Sequence, residues 1–176
     1  MARHPLRVGI ADLRRRPGTR RRVEESVPLD DLEVSTARVP VGEPVMIDLE
    51  LETLSDGLVA TGTIDAPWTG ECRRCLRPVE GRAVVQVREI FQPRPIEGET
   101  YAMGEDIVDL EPMVRDAVLL ALPLAPLCAE DCLGPAPEQF PTGRADEGDG
   151  TAPAAPVDPR WAALSGLDFE PDDRGE

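Results

Sequence analysis

The chain has 176 residues, enough for one domain of ordinary size, and 41% of them are hydrophobic. The formal net charge is −15, from 34 acidic residues against 19 arginines, and there is no lysine. The single histidine, His4, lies near the start, so a Ser-His-Asp or Cys-His pair is not easily assembled and no lysine can form a Schiff base. Aromatic residues, at 3%, are too few for an RNA-binding face built on stacking. Composition therefore predicts a protein that is not an enzyme.

Positive charge is concentrated at the start of the chain. Residues 1–22 hold eight arginines and one acid, whereas the rest holds 11 arginines and 33 acids. Three interpretations of this arginine-rich segment are open: a solvated turn, a contact with nucleic-acid phosphates, or an intramolecular partner for the acidic remainder. Because the acidic remainder would repel phosphates, we expect any RNA contact to come from two triplets, namely Arg14, Arg15 and Arg16, and Arg20, Arg21 and Arg22.

The sequence has no signal for a membrane or for export. No stretch approaches 18 consecutive apolar residues, and residues 1–13 lack the apolar core and cleavage site of a signal peptide. We therefore expect a cytoplasmic protein. Its four cysteines would then be reduced, which favours metal binding or simple burial over disulfides.

Alternating apolar and polar residues predict a sheet. The clearest pattern covers residues 45–53, and Ser55-Asp56-Gly57 then predicts a tight turn. We expect an antiparallel meander of at least three strands that could curl toward a barrel. The predicted strands are residues 6–10, an edge-like strand at 23–27, then 45–53, 58–66 and 83–91.

One buried helix is predicted before Pro123. Asp109 suits its N-cap, Glu111 its first turn and Pro112 an early position. The fold class is thus α+β. The apolar positions cover nearly the whole circumference toward the end, so we expect a buried last turn; they are Met113, Val114, Ala117, Val118, Leu119, Leu120, Ala121 and Leu122.

The remaining chain divides by composition. We predict one domain over residues 1–132, a disordered linker rich in Pro, Gly and acids over 133–157, and a short helix with a tail over 158–176. Asp158 would cap this helix, and Trp161 and Leu164 would form a small apolar face. Two interpretations of the helix are open: it docks on the domain, or it binds a partner.

The cysteines form two close pairs. Cys72 and Cys75 have C-x2-C spacing between two predicted strands, and Cys128 and Cys132 have C-x3-C spacing after the helix. Four thiolates from two separate elements fit one tetrahedral zinc ion, which would be structural because no position stays open. The other interpretation is four small buried hydrophobic residues.

The order of these motifs resembles the YceD family, whose members are called large ribosomal RNA subunit accumulation proteins. The resemblance covers about residues 5–167 and rests on residues 71–76, the helix end at 115–123, the second cysteine pair and residues 158–164. It implies a role in synthesis, processing or stability of large-subunit ribosomal RNA and no established catalysis. The partner would be that RNA, or a basic ribosomal or RNA-processing protein bound by an acidic adaptor; no small-molecule substrate is expected.

The chain departs from the family pattern after Cys132. Members often continue with a second C-x2-C pair, but Ala136 and Gln139 occupy those positions here. If the family's metal used that later pair, half of the site would be lost. If the metal used the matches to Cys128 and Cys132, the site would be intact.

Overall fold

The computed structural model describes residues 5–15 and 18–139 of the chain, all of which belong to one compact unit, Met1–Phe140. The predicted helix at 158–164 and residues 140–157 of the predicted linker lie outside the described residues. The elements are β1 (Arg7–Gly9), α1 (Ala11–Arg14), β2 (Arg20–Pro28), β3 (Glu33–Val34), β4 (Ala37–Arg38), β5 (Pro44–Thr53), β6 (Leu58–Glu71), β7 (Pro78–Gln92), β8 (Tyr101–Ala102), β9 (Ile107–Asp109) and α2 (Glu111–Ala121).

The antiparallel meander is confirmed. Strands β5, β6 and β7 follow one another as antiparallel neighbours, and β2 pairs with β5 as the predicted edge strand. The amide of Leu54 donates to the carbonyl of Gly57 at 2.9 Å and closes the predicted tight turn between β5 and β6. A fold of this kind, mostly sheet with few helices, is α+β, as expected.

The expectation that the sheet curls into a barrel is wrong. Within the described residues, β2 and β7 lie on opposite sides of the β5–β6 pair and do not hydrogen-bond to each other, so the sheet stays open. The short strands β3 and β4 add to the far end of β6, and β8 adds to the end of β7. The small pair β1–β9 forms a separate two-stranded sheet.

Several strands are longer than their patterns predict. Strand β2 begins at Arg20, β6 continues to Glu71 and β7 begins at Pro78. Strand β8 lies in the stretch after residue 91, for which no strand was predicted. Pairing with a neighbouring strand extended these segments through residues that local propensity alone would place in loops.

Helix α2 differs from its prediction at both ends. Its N-cap is Leu110, not Asp109, although the Asp109 carboxylate still accepts a hydrogen bond from the Glu111 amide at 3.1 Å. In the last turn Leu122 is buried, but Leu120 is 88% exposed, so the apolar surface does not encircle the helix. The buried face carries Met113, Val114 and Val118 and packs against β6 and β7.

The core lies between one face of the large sheet and the helices. Leu49 of β5, Ile64 of β6 and Phe91 of β7 are fully buried on that face, together with Leu13 of α1. The other sheet face carries the alternating polar residues of β2 and β5. None of the described helices is long and apolar enough to span a membrane.

Gly62 allows β5 and β6 to approach closely. A substitution at this position tests that close packing. Its φ is +155°, and a Cβ atom there would lie 2.1 Å from the Asp48 carbonyl oxygen. We expect Gly62→Ala to lower the free energy of unfolding by about 1–3 kcal/mol, since backbone must move to relieve the overlap. Denaturant titration measures the change. Thr61→Ala, at the exposed neighbour on β6, is the control, and equal stability of the two variants would contradict this packing.

Candidate metal centre

The connection between β6 and β7 is a tight turn that carries the first cysteine pair. The Cys72 amide donates to the Arg77 carbonyl, and the Leu76 amide donates to the Cys72 carbonyl, both at 2.8 Å. Leu76 adopts a left-handed conformation, with φ of +59°, which closes the turn. Cys72 and Cys75 are both buried by this arrangement.

Two hydrogen bonds, one of them to this turn, fix the chain that follows α2. The Arg73 amide donates to the Pro126 carbonyl at 2.8 Å. The Thr36 hydroxyl, between β3 and β4, donates to the Pro123 carbonyl at 2.9 Å. Because Pro123 and Pro126 cannot continue a helix, the chain leaves α2 in an extended path that follows the end of the sheet.

Arg74 fixes the second cysteine pair. One nitrogen of its guanidinium group, Nη1, lies 2.9 Å from both the Glu130 carbonyl and the Cys132 carbonyl. The Cys132 amide also closes a local turn by donating to the Ala129 carbonyl at 3.2 Å. The side chain between the first two cysteines thus orients the backbone that carries the last one.

The four sulfur atoms meet in one cluster. Sγ of Cys72 lies 3.8 Å from Sγ of Cys132, and Sγ of Cys75 lies 3.7 Å from Sγ of Cys128. All four lie within 4.8 Å of one another. A tetrahedron with metal–sulfur bonds of about 2.3 Å has edges of about 3.8 Å, so the residues present fit a metal ion and could hold one with little movement.

Arg77 supplies positive charge to the cluster. Its Nε lies 3.3 Å from Sγ of Cys75, and its Nη2 lies 3.6 Å from Sγ of Cys128. The hydrogen bond from Arg77 is the main reason that the pKa of Cys75 is lowered. Hydrogen bonds from the Cys75 and Cys128 amides lower the pKa of the Cys72 thiol to about 6.

Cys128 behaves in the opposite way. Its hydrogen bond with Cys132, followed by burial, raises the pKa of its thiol to about 12. Four thiolates this close repel one another, so without a cation the cluster favours a mixture of thiolate and thiol. A divalent cation would relieve that repulsion, which is the chemistry that this donor set can support.

The second arginine triplet lies on β2 and pairs with acids of the same sheet. Arg20 lies 3.1 Å from both Glu50 and Glu52. Arg22 binds both carboxylate oxygens of Asp48, at 2.9 and 2.8 Å, and lowers the pKa of that carboxyl group. These contacts correspond to the interpretation in which arginines serve the acidic part of the chain.

Of the first arginine triplet, Arg14 and Arg15 lie at the end of α1. Arg21 of β2 reaches back to this region and binds the Gly9 carbonyl and the Asp12 carboxylate. Arg14 donates to the Glu105 carbonyl at 2.5 Å. Arg15 is exposed as the C-cap of α1, and Arg16 lies outside the described residues.

A sequence model described as "Large ribosomal RNA subunit accumulation protein YceD" matches residues 60–168. Uncharacterised proteins of Mycobacterium bovis and Mycobacterium tuberculosis are 34% identical over 175 residues, covering 91% of this chain and 80% of theirs. An uncharacterised protein of Mycobacterium leprae is 32% identical over 171 residues, covering 93% of this chain and 77% of its own. The chain belongs to the YceD family. No solved structure matches it significantly.

The matched YceD region begins within β6 and includes all four cysteines. Ala136 and Gln139, the positions at which the family resemblance led us to expect cysteines, lie in a turn closed by the Gln139 amide and the Ala136 carbonyl at 3.1 Å. The four cysteines of this chain form a complete donor set without those two positions. Sequence reasoning missed Arg74 and Arg77, although arginines inside and beside a C-x2-C motif are a visible signal for charge compensation.

Proposed function

We propose that this protein is a ribosome-biogenesis factor without catalytic activity of its own. It supports the synthesis, processing or stability of large-subunit ribosomal RNA in the cytoplasm. Membership of the YceD family carries this proposal, because the family description names the accumulation of that RNA. Composition supports the absence of catalysis, since the chain has no lysine and one histidine near its start.

We further propose that it acts as an acidic adaptor for a basic ribosomal or RNA-processing protein. The ion pairs of Arg20 and Arg22 support this mode, because their charges are already balanced by Glu50, Glu52 and Asp48. A net charge of −15 favours encounter with a basic partner over a phosphate backbone. Direct RNA contact through the two arginine triplets is the second candidate.

A structural zinc ion is part of the proposal. The sulfur–sulfur distances of 3.7 and 3.8 Å support it, as do the two contacts from Arg77 that would offset the negative charge of four thiolates on Zn²⁺. The ion would link the β6–β7 turn to the segment after α2. Four protein ligands fill a tetrahedral shell, so its role would be stability.

The zinc proposal predicts one ion per chain in elemental analysis of purified protein loaded with zinc. Replacing Cys128 and Cys132 by Ser should abolish binding. Zinc at 100 times its Kd should raise the Tm by about 5–10 °C, because it binds only the folded state. Ala136→Ser with Gln139→Ser is the matched control, and it should keep both the ion and the shift. Zinc content unaffected by loss of the two cysteines would contradict the site.

The biogenesis role predicts a specific shortage of ribosomal RNA in a deletion strain. Mature large-subunit rRNA should fall relative to small-subunit rRNA, and wild-type protein supplied in trans should restore the ratio. Quantitative northern blots or RNA sequencing measure it. An unchanged ratio in the deletion strain during exponential growth would refute the proposed function.

The adaptor mode predicts a partner that persists after nuclease treatment. Tagged full-length protein should retain a basic ribosomal or RNA-processing protein, identified by mass spectrometry, with and without RNase. Under direct RNA contact, RNase should release the partner, and replacing the six arginines by Ala should flatten the salt dependence of RNA binding. Thermal unfolding of that variant checks that β2 stays paired. Loss of the partner on RNase treatment would contradict the adaptor.

A further inference from the structure

Strand β7 has a long free edge. One side pairs with β6 from Pro78 to Phe91, but within the described residues the other side pairs only at Phe91 and Gln92, with β8. As far as residues 5–15 and 18–139 show, the backbone from Pro78 to Ile90 has no strand partner on that side. An edge of this kind is a template for another antiparallel strand.

The exposed side chains along this edge are complementary to their own reverse. Between residues 80 and 88 they are Glu80, Arg82, Val84, Gln86 and Arg88, and all five point to the same face of the sheet. If two copies of β7 pair antiparallel about Val84, the two valines meet at the centre and Glu80 of each copy lies opposite Arg88 of the other. Arg82 then lies opposite Gln86, a neutral partner. Two-fold symmetry produces the Glu80–Arg88 and Arg82–Gln86 contacts twice.

The charges needed for this pairing are available. Among the described residues Glu80 and Arg88 form no ion pair, whereas Arg82 is already bound to Asp65 at 2.8 Å. Val84 is 61% exposed, which is unusual for an aliphatic side chain in the middle of a strand. This register would pair Glu80 with Arg88, the two charged residues of the edge that have no ion pair within the described part of the chain.

Neighbouring registers lose this complementarity. Moving the centre to Val85 places Arg82 opposite Arg88, which brings two positive charges together. Moving it to Ala83 places Glu80 opposite Gln86 and leaves Arg88 without a charged partner. Since directly opposed like charges destabilise a sheet and opposite charges stabilise it, one register is selected.

We propose that this protein forms a homodimer through β7, paired antiparallel about Val84 over residues 80–88. Such pairing adds about eight to ten backbone hydrogen bonds. A typical protein–protein interface has about ten direct hydrogen bonds. It also joins the two large sheets into one continuous sheet across the two-fold axis. The occupant of the edge is a second copy of this chain, and this inference does not depend on the proposed ribosomal role.

A charge-swap series on the full-length protein tests the dimer. Sedimentation equilibrium should give a species of twice 19.1 kDa for the wild-type chain. Glu80→Arg should raise the dimer Kd by about tenfold or more, because it places two arginines opposite each other at both ends of the interface. Adding Arg88→Glu to that variant should return the Kd to near the wild-type value.

Glu43→Arg is the matched control, since it makes the same charge change in the exposed turn before β5 and should leave the Kd unchanged. Circular dichroism confirms that each variant is folded. A wild-type chain that stays monomeric at all concentrations would overturn the proposal. A dimer that Glu80→Arg does not weaken, or that the double substitution does not restore, would equally overturn it.

Discussion

Fourteen consecutive residue pairs join β6 to β7, and the rest of the described structure depends on that pairing. It carries the hairpin to the turn at Cys72–Arg77, beyond the end of the shorter strand β5. Among the described strands, none pairs with the far side of β7 over most of its length. A single long hairpin therefore places a cysteine pair at its tip and a free edge along its side.

The sequence predicted the existence of the main strands better than their first and last residues. Alternation at residues 45–53 marks β5 because one face of that strand is buried and the other is wet. The alternation is weaker in β6. Pro67 and Gly70 are residues typical of strand ends, although both are paired with β7. Barrel closure could not be judged from alternation, since a period of two identifies the buried face of a strand but not its neighbours.

The cysteine spacing predicted two pairs and left two interpretations open, one shared metal site or four separately buried side chains. Fifty-two residues lie between Cys75, the end of the first pair, and Cys128, the start of the second. Only tertiary contacts bring the two pairs together. Those contacts come from Arg73 and Arg74, whose roles depend on carbonyl groups of the segment after α2. The acidic partners of the second arginine triplet could not be identified from the sequence either, because they follow from the register of β2 on β5.

The exclusive use of arginine has a physical consequence for this fold. Nη1 of Arg74 lies within hydrogen-bond distance of two carbonyl oxygens. Nε and Nη2 of Arg77 each lie close to a different sulfur atom. A guanidinium group can make such contacts because it holds several donors in one plane. A lysine ammonium would bring one compact, strongly hydrated charge to the same place. The charges of Arg20 and Arg22 are compensated locally by carboxylates of the same chain. The excess of acidic groups in the sequence supports the proposed basic protein partner over a nucleic acid.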